Sequence, residues 1–165
     1  MPRPSADAKI GAERRLEQMG TVTEMNWDDL ARRMEGAEDS AREDSVSEWK
    51  ALFAAGGTYQ DPVNPPTNDL DSIAKQTEES LPDWSVEFGK MVGDDRFGAA
   101  EWIGRGTLLG EVPIELHGCA FVEVDKDGLI VRWRDYFDLK EIETQATAAF
   151  AKASEALEDQ QSSAG

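Results

Sequence analysis

In the run Ile130-Val131-Arg132-Trp133-Arg134-Asp135-Tyr136-Phe137-Asp138-Leu139, one carboxylate, Asp135, alternates with large apolar side chains. Successive side chains of a strand point to opposite faces, so Val131, Trp133, Asp135 and Phe137 share one side and Arg132, Arg134 and Tyr136 the other. A carboxylate among apolar groups loses solvation, which favours its neutral form and suits it to accept and return a proton. The competing reading is structural, with Asp135 accepting hydrogen bonds from a Tyr or Trp and organising the core. Asp61, in Tyr59-Gln60-Asp61-Pro62-Val63, is a second candidate, although an Asp before Pro at a strand-to-loop transition often bonds to its own turn. Tyr59 shares Asp61's side of the strand, where its hydroxyl would orient a ligand or Asp135, or else would be that of a packed core tyrosine. His117 is the only histidine. Alternation from Gly118 and Ala120 sets it with Cys119 and Phe121 on the opposite face, expected to be the outer or subunit-facing side.

Composition narrows the chemistry further. At 165 residues the chain fits one domain. Its formal charge of -17 opposes phosphate backbones and anionic lipid, so neither nucleic acid nor membrane is expected as a partner. One Cys and one His make neither an internal disulfide nor an ordinary zinc site. Phosphate-cradling glycine loops and Gly-x-Ser-x-Gly are lacking, and no cofactor is implied. Met1 to Gly20 is polar where a signal peptide needs an apolar stretch, and no apolar run would span a bilayer, so a cytoplasmic protein is expected.

The elements that must position Asp135 and Asp61 follow from periodicity. Residues 1–22 have weak helical periodicity and are set apart as an extension. Asn26 caps a helix burying Trp27, Leu30, Ala31 and Met34, followed by a polar break from Gly36 to Glu43. Ser45 and Glu48 have capping-box spacing ahead of a stripe of Val46, Trp49, Leu52 and Phe53, ended by Gly56-Gly57. A short strand from Thr58 to Asp61 stops at Pro62. A further helix starts near Asn68 or Asp69, buries Leu70, Ile73, Ala74 and Thr77, and stops at Leu81 before Pro82. Four strands then follow, Trp84 to Val92, Phe97 to Leu109, Val112 to Val124 and Leu129 to Leu139, with turns that favour an antiparallel meander. Lys140 to about Gln160 returns to helical spacing and runs into a polar tail. Helices followed by antiparallel strands imply α+β layering, with helices on the concave side of a curved sheet and a pocket between them.

Several stretches carry a resemblance: Trp49 to Ala54 through Tyr59-Gln60-Asp61-Pro62, Leu81-Pro82-Asp83-Trp84, Glu101-Trp102 with Gly106-Thr107, and Ile130 to Leu139. Together, over roughly Asn26 to Ile142, they resemble the nuclear transport factor 2-like and SnoaL-like superfamily, which includes SnoaL-like cyclases, ketosteroid isomerases and limonene-epoxide hydrolases. The resemblance implies a cone-shaped α+β domain over residues 23–142, with residues 143–165 forming a C-terminal helix and polar tail. It likens Asp61 to the isomerases' general base and Asp135 to an aspartate of the epoxide hydrolases that positions or activates water. The sequence departs from both patterns. Trp102 and Gly104 stand where the epoxide hydrolases would have an arginine and a second aspartate. Ala120 stands at the position of the isomerases' neutral acid, and the first helices supply no secure tyrosine. What remains is closest to the SnoaL-like pattern, an aspartate in an apolar pocket. The expected site has Asp135, Asp61 and Tyr59 as catalytic groups and Trp102, Trp133, Phe137, Leu116 and Phe53 as ligand-binding wall, for a small apolar organic ligand of polycyclic, terpenoid or steroid-like kind. The alternative is a non-catalytic binding or dimerisation module on the same fold. A homodimer through the outer face of the sheet, with Phe121 and Tyr136, is expected by the same resemblance.

Overall fold

A computed structural model describes residues 24–38 and 44–163, with side chains described as far as Lys152. The expected N-terminal extension and most of the polar break lie outside the described residues. Helix α1 (Trp27–Ala37) begins as its sequence dictates, with the Asn26 side chain accepting from the Asp29 amide, and buries Trp27, Leu30, Ala31 and Met34. Helix α2 (Ser45–Ala51) is shorter than its apolar stripe suggests. Its N-cap is Asp44, whose side chain makes no capping bond, so the capping box of Ser45 and Glu48 does not form; Ser45 is the first helical residue and is buried.

Strand β1 (Phe53–Gln60) begins where the sequence suggested the helix would continue. The reason is tertiary: the Ile130 amide donates to the Leu52 carbonyl, and Phe53 pairs with Ile130. Gly56 and Gly57 therefore serve a strand irregularity rather than a helix end. Gly56 takes φ +77, and a Cβ on Gly57 would sit 2.5 Å from the Ile130 carbonyl oxygen. Helix α3 (Leu70–Ser80) agrees with its sequence signals, with Asp69 capping through the Ser72 amide and Leu81 at the C-cap.

The sheet continues with β2 (Ser85–Phe88), β3 (Val92–Gly93), β4 (Phe97–Leu108), β5 (Val112–Val124) and β6 (Ile130–Phe137), in the order β1-β6-β5-β4-β2 with β3 also on β4. The stretch read as one strand from Trp84 to Val92 is thus two short ones. Pairing from β2 to β6 is antiparallel, while β1 lies parallel to β6, which makes the curved, unclosed sheet mixed. A register shift between Glu123 and Val124 places both Ile130 and Trp133 inside and leaves Val131 and Arg132 exposed, so Val131 does not share the face of Trp133 and Asp135.

Helix α4 (Leu139–Ser163) takes over where β6 ends. The lower part of β5 has no strand on that side, and side chains of α4 satisfy its edge instead. Gln145 accepts from the Glu115 amide at 2.8 Å and donates to the Glu115 carbonyl at 2.7 Å, reproducing a ladder pair, and Glu141 accepts from the His117 amide. On the opposite edge, Glu35 of α1 accepts from the Phe88 amide at 2.7 Å and ties that helix to β2. In the layout Asp83 and Thr107, distant in sequence, meet through a 2.6 Å hydrogen bond. The core lies between the inner face of the sheet and the helices, with Leu30, Met34, Ala120, Ile130 and Trp133 among its most enclosed residues.

Candidate functional site

A cavity of about 260 Å³ opens among the end of α1, α3, the start of α4 and the inner face of the sheet. Two glycines make room for its indole walls. A Cβ on Gly104 would fall 1.9 Å from the Trp84 ring and one on Gly118 would fall 2.3 Å from the Trp102 ring. Both rings therefore lie directly against strand backbone. They meet edge to face with centroids 6.3 Å apart, and Phe137 also meets Trp102 edge to face at 5.8 Å.

Asp135 is buried at the centre of this arrangement. The Trp102 Nε1–H donates to its Oδ1 at 2.9 Å and the Trp133 Nε1–H to its Oδ2 at 2.8 Å, and the Tyr59 hydroxyl donates as well. A carboxylate offers about four acceptor positions, so one remains for a ligand. Burial pushes Asp135 up to about 7 despite these three donors, and the negative charge of Asp61 adds to the rise. Tyr59 is raised well above its ordinary value, first by burial and then by the charges of Asp135, Asp61 and Glu38, so it stays an O–H donor.

Asp61 also lines the cavity, but its oxygens serve its own loop. Oδ1 accepts from the amides of Val63 and Asn64, each at 2.7 Å, and Oδ2 from the Asn64 side chain at 2.9 Å. Of the apolar residues chosen from the sequence, Trp102, Phe137 and Leu116 line the cavity. Trp133 and Phe53 do not: Trp133 is wholly enclosed behind Asp135 with its ring against Phe88, and Phe53 packs edge-on against Trp49. His117 stands on the outer face, away from the cavity, near Glu115 and Glu141. Among the described residues no group of three or more His, Cys, Asp and Glu side chains is arranged to hold a metal ion.

The residue that sequence reasoning missed is Glu38. It is the C-cap of α1, lines the cavity, and accepts a long 3.4 Å bond from the Trp84 Nε1–H. Burial, and next the charge of Asp135, push it up to about 8. A signal was present: Leu30, Met34 and Glu38 form one i, i+4 row, so Glu38 continues a buried stripe past the helix end. The polar residues that surround Glu38 mask that row in the sequence.

No curated protein sequence matches the chain. Among solved structures it is similar to a protein of Jannaschia sp. CCS1 assigned as a SnoaL-like polyketide cyclase, with TM-score 0.58 and 16% identity over 71% of this chain and 88% of that one. It is similar to an LEH-like epoxide hydrolase of M. tuberculosis, with TM-score 0.58 and 17% identity over 75% and 93%. A hypothetical protein of Catenulispora acidiphila with a ketosteroid isomerase-like fold, solved with trimethylamine, gives 0.58 and 18% over 70% and 87%. At such identities these likenesses establish the fold. The family model described as the SnoaL-like domain matches residues 34–133, from the last turns of α1 to the tryptophan that backs Asp135. With more than half of its length matched and the fold shared, the chain belongs to the SnoaL-like domain family.

Proposed function

We propose that this protein is a cofactor-independent acid/base enzyme acting on a compact, largely apolar organic substrate, with Asp135 as the group that takes up the proton. The observation that carries the reading is a buried carboxylate facing an apolar cavity, fixed by two indole N–H groups and a tyrosine hydroxyl, with an acceptor position to spare. A base works best when it titrates near the operating pH, and burial holds Asp135 there. Asp61, engaged by its own loop, contributes charge rather than proton transfer, and Tyr59 steadies Asp135. The cavity lies just below the usual range of roughly 300–1,000 Å³ for ligand sites, which favours substrates of one or two rings, such as small terpenoids and aromatic ketones, over a full steroid. Isomerisation, ring closure and epoxide opening all suit this site, and solved structures of the same fold include proteins named polyketide cyclase and epoxide hydrolase.

A second reading has its own support. The same three donors would hold Asp135 as a purely structural carboxylate in a ligand carrier. Native mass spectrometry of the protein against terpenoid epoxides, aromatic polyketides and steroids, with each bound compound then analysed for chemical change, separates the two. Conversion by the wild type and binding without conversion by Asp135→Asn, with turnover reduced by about 10²–10⁴-fold, supports the enzyme. Equal conversion by both proteins removes Asp135 as the base, and binding with no conversion by the wild type supports the carrier.

We also propose that two copies pair through the outer face of the sheet. Phe121 and Tyr136 are exposed there and stack edge to face at 5.8 Å.

A further inference from the structure

The cavity holds a second acid group whose surroundings differ from those of Asp135 in a way that divides the labour between them. Asp135 receives three hydrogen-bond donors, two of them at 2.8–2.9 Å, all of which favour a carboxylate. Glu38 receives one long bond, from Trp84. It also sits at the C-terminal end of α1, the negative end of the helix dipole, which disfavours a second negative charge. Its titratable neighbours across the cavity are Asp135, Tyr59 and Asp61, and among the described residues no Lys, Arg or His lines the space to offset them. One negative charge shared by the two carboxyl groups is the favourable state, and the donors decide that Asp135 carries it.

Resting on the acid/base reading above, we propose that Glu38 is the proton-donating partner of Asp135 and that together they enolise a neutral ketone or related carbonyl compound. The atoms balance within the site. A C–H bond beside the carbonyl breaks and its proton passes to the Asp135 carboxylate. The electron pair left on carbon forms the new C=C bond, the carbonyl π pair moves to oxygen, and that oxygen takes the proton of the Glu38 carboxylic acid. Asp135 ends protonated and Glu38 ionised, and proton exchange between them restores the starting state with no oxidant or reductant. The same arrangement defines the ligand's polar end: an uncharged oxygen accepts from Glu38, whereas a carboxylate or phosphate meets only negative and neutral groups. The raised titration of Glu38 agrees with this assignment.

The test has two arms, both on the full chain. In the first, carboxyl resonances of protein labelled with [δ-13C]glutamate are followed against pH, and the signal absent from Glu38→Gln is assigned to Glu38. It should titrate well above the ordinary glutamate value of about 4.3 and move downward in Asp135→Asn, which removes the neighbouring charge. Titration in the ordinary range overturns the proposal without touching the role of Asp135. In the second, α-tetralone, an enolisable two-ring ketone, is incubated in D2O and deuterium uptake beside the carbonyl is measured. Uptake should fall by about 10²–10⁴-fold in Glu38→Gln. Uptake by Glu38→Gln at the wild-type rate overturns the proposal. Absence of uptake in the wild type counts against the enzymatic reading itself, and the titration arm then still decides whether Glu38 holds the proton.

Discussion

At the scale of single residues, Asp135 and Glu38 link protonation to folding. Their folded values, about 7 and about 8, lie above those of free Asp and Glu, near 4. Between those limits the folded state binds more protons than the unfolded chain, so their contribution to stability falls as pH rises through that window and levels off once both are ionised. Glu38→Gln removes one of the two groups. Its melting temperature should therefore exceed that of the wild type by a few °C at about pH 9, with the difference shrinking toward about pH 5, as measured by calorimetry across the range. A variant less stable than the wild type at the alkaline end would show that Glu38 is well solvated as an anion. Asp135 was legible from sequence because strand alternation is a local rule that needs no partner. Glu38 was one of 34 acidic residues at the edge of a helix, and its meaning depends on Trp84, a contact spanning 46 residues.

At the scale of elements, the site depends on glycines in the middle of long strands. Gly118 lies opposite Trp102 on β4 and Phe137 on β6, and its missing side chain is the seat of the indole that bonds Asp135. Gly118→Ala would drive a methyl group into the ring. The expected result is a loss of about 1–3 kcal/mol, read from urea unfolding, together with a change in tryptophan emission as Trp102 shifts from Asp135. Unfolding and emission indistinguishable from those of the wild type would mean that the ring has freedom to move aside. The bounds of α1, α3, β4, β5 and β6 were close to their sequence signals, because caps, prolines and alternation act within a few residues. The early end of α2 was not, since pairing of Leu52 and Phe53 with Ile130 overrode the local helical pattern.

At the scale of the whole molecule, the strong negative charge and the exposed outer face pull in opposite directions. Two copies each carrying a formal charge of -17 repel, while Phe121 and Tyr136 offer apolar area for contact. If the proposed dimer forms, raising salt screens the repulsion and tightens association. Sedimentation equilibrium should then show more dimer at high ionic strength and chiefly monomer for Phe121→Asp. A wild type that stays monomeric at high concentration and high salt would remove the proposal. No helix among the described residues is long and apolar enough to cross a membrane.

The sequence by itself determined the layering of helices on a sheet and the shared inward face of Trp133 and Asp135 on β6, since each follows from spacing that the backbone imposes on neighbouring residues. Tertiary structure alone decided which apolar residues reach the cavity and which stay behind it. Trp102 and Trp133 look alike in sequence, and both bond Asp135, yet Trp102 faces the open space over Gly118 while Trp133 is enclosed beside Phe88. It also brought Glu38 to the same cavity as Asp135. Such outcomes turn on distances between residues far apart in the chain, which packing sets and local periodicity does not encode.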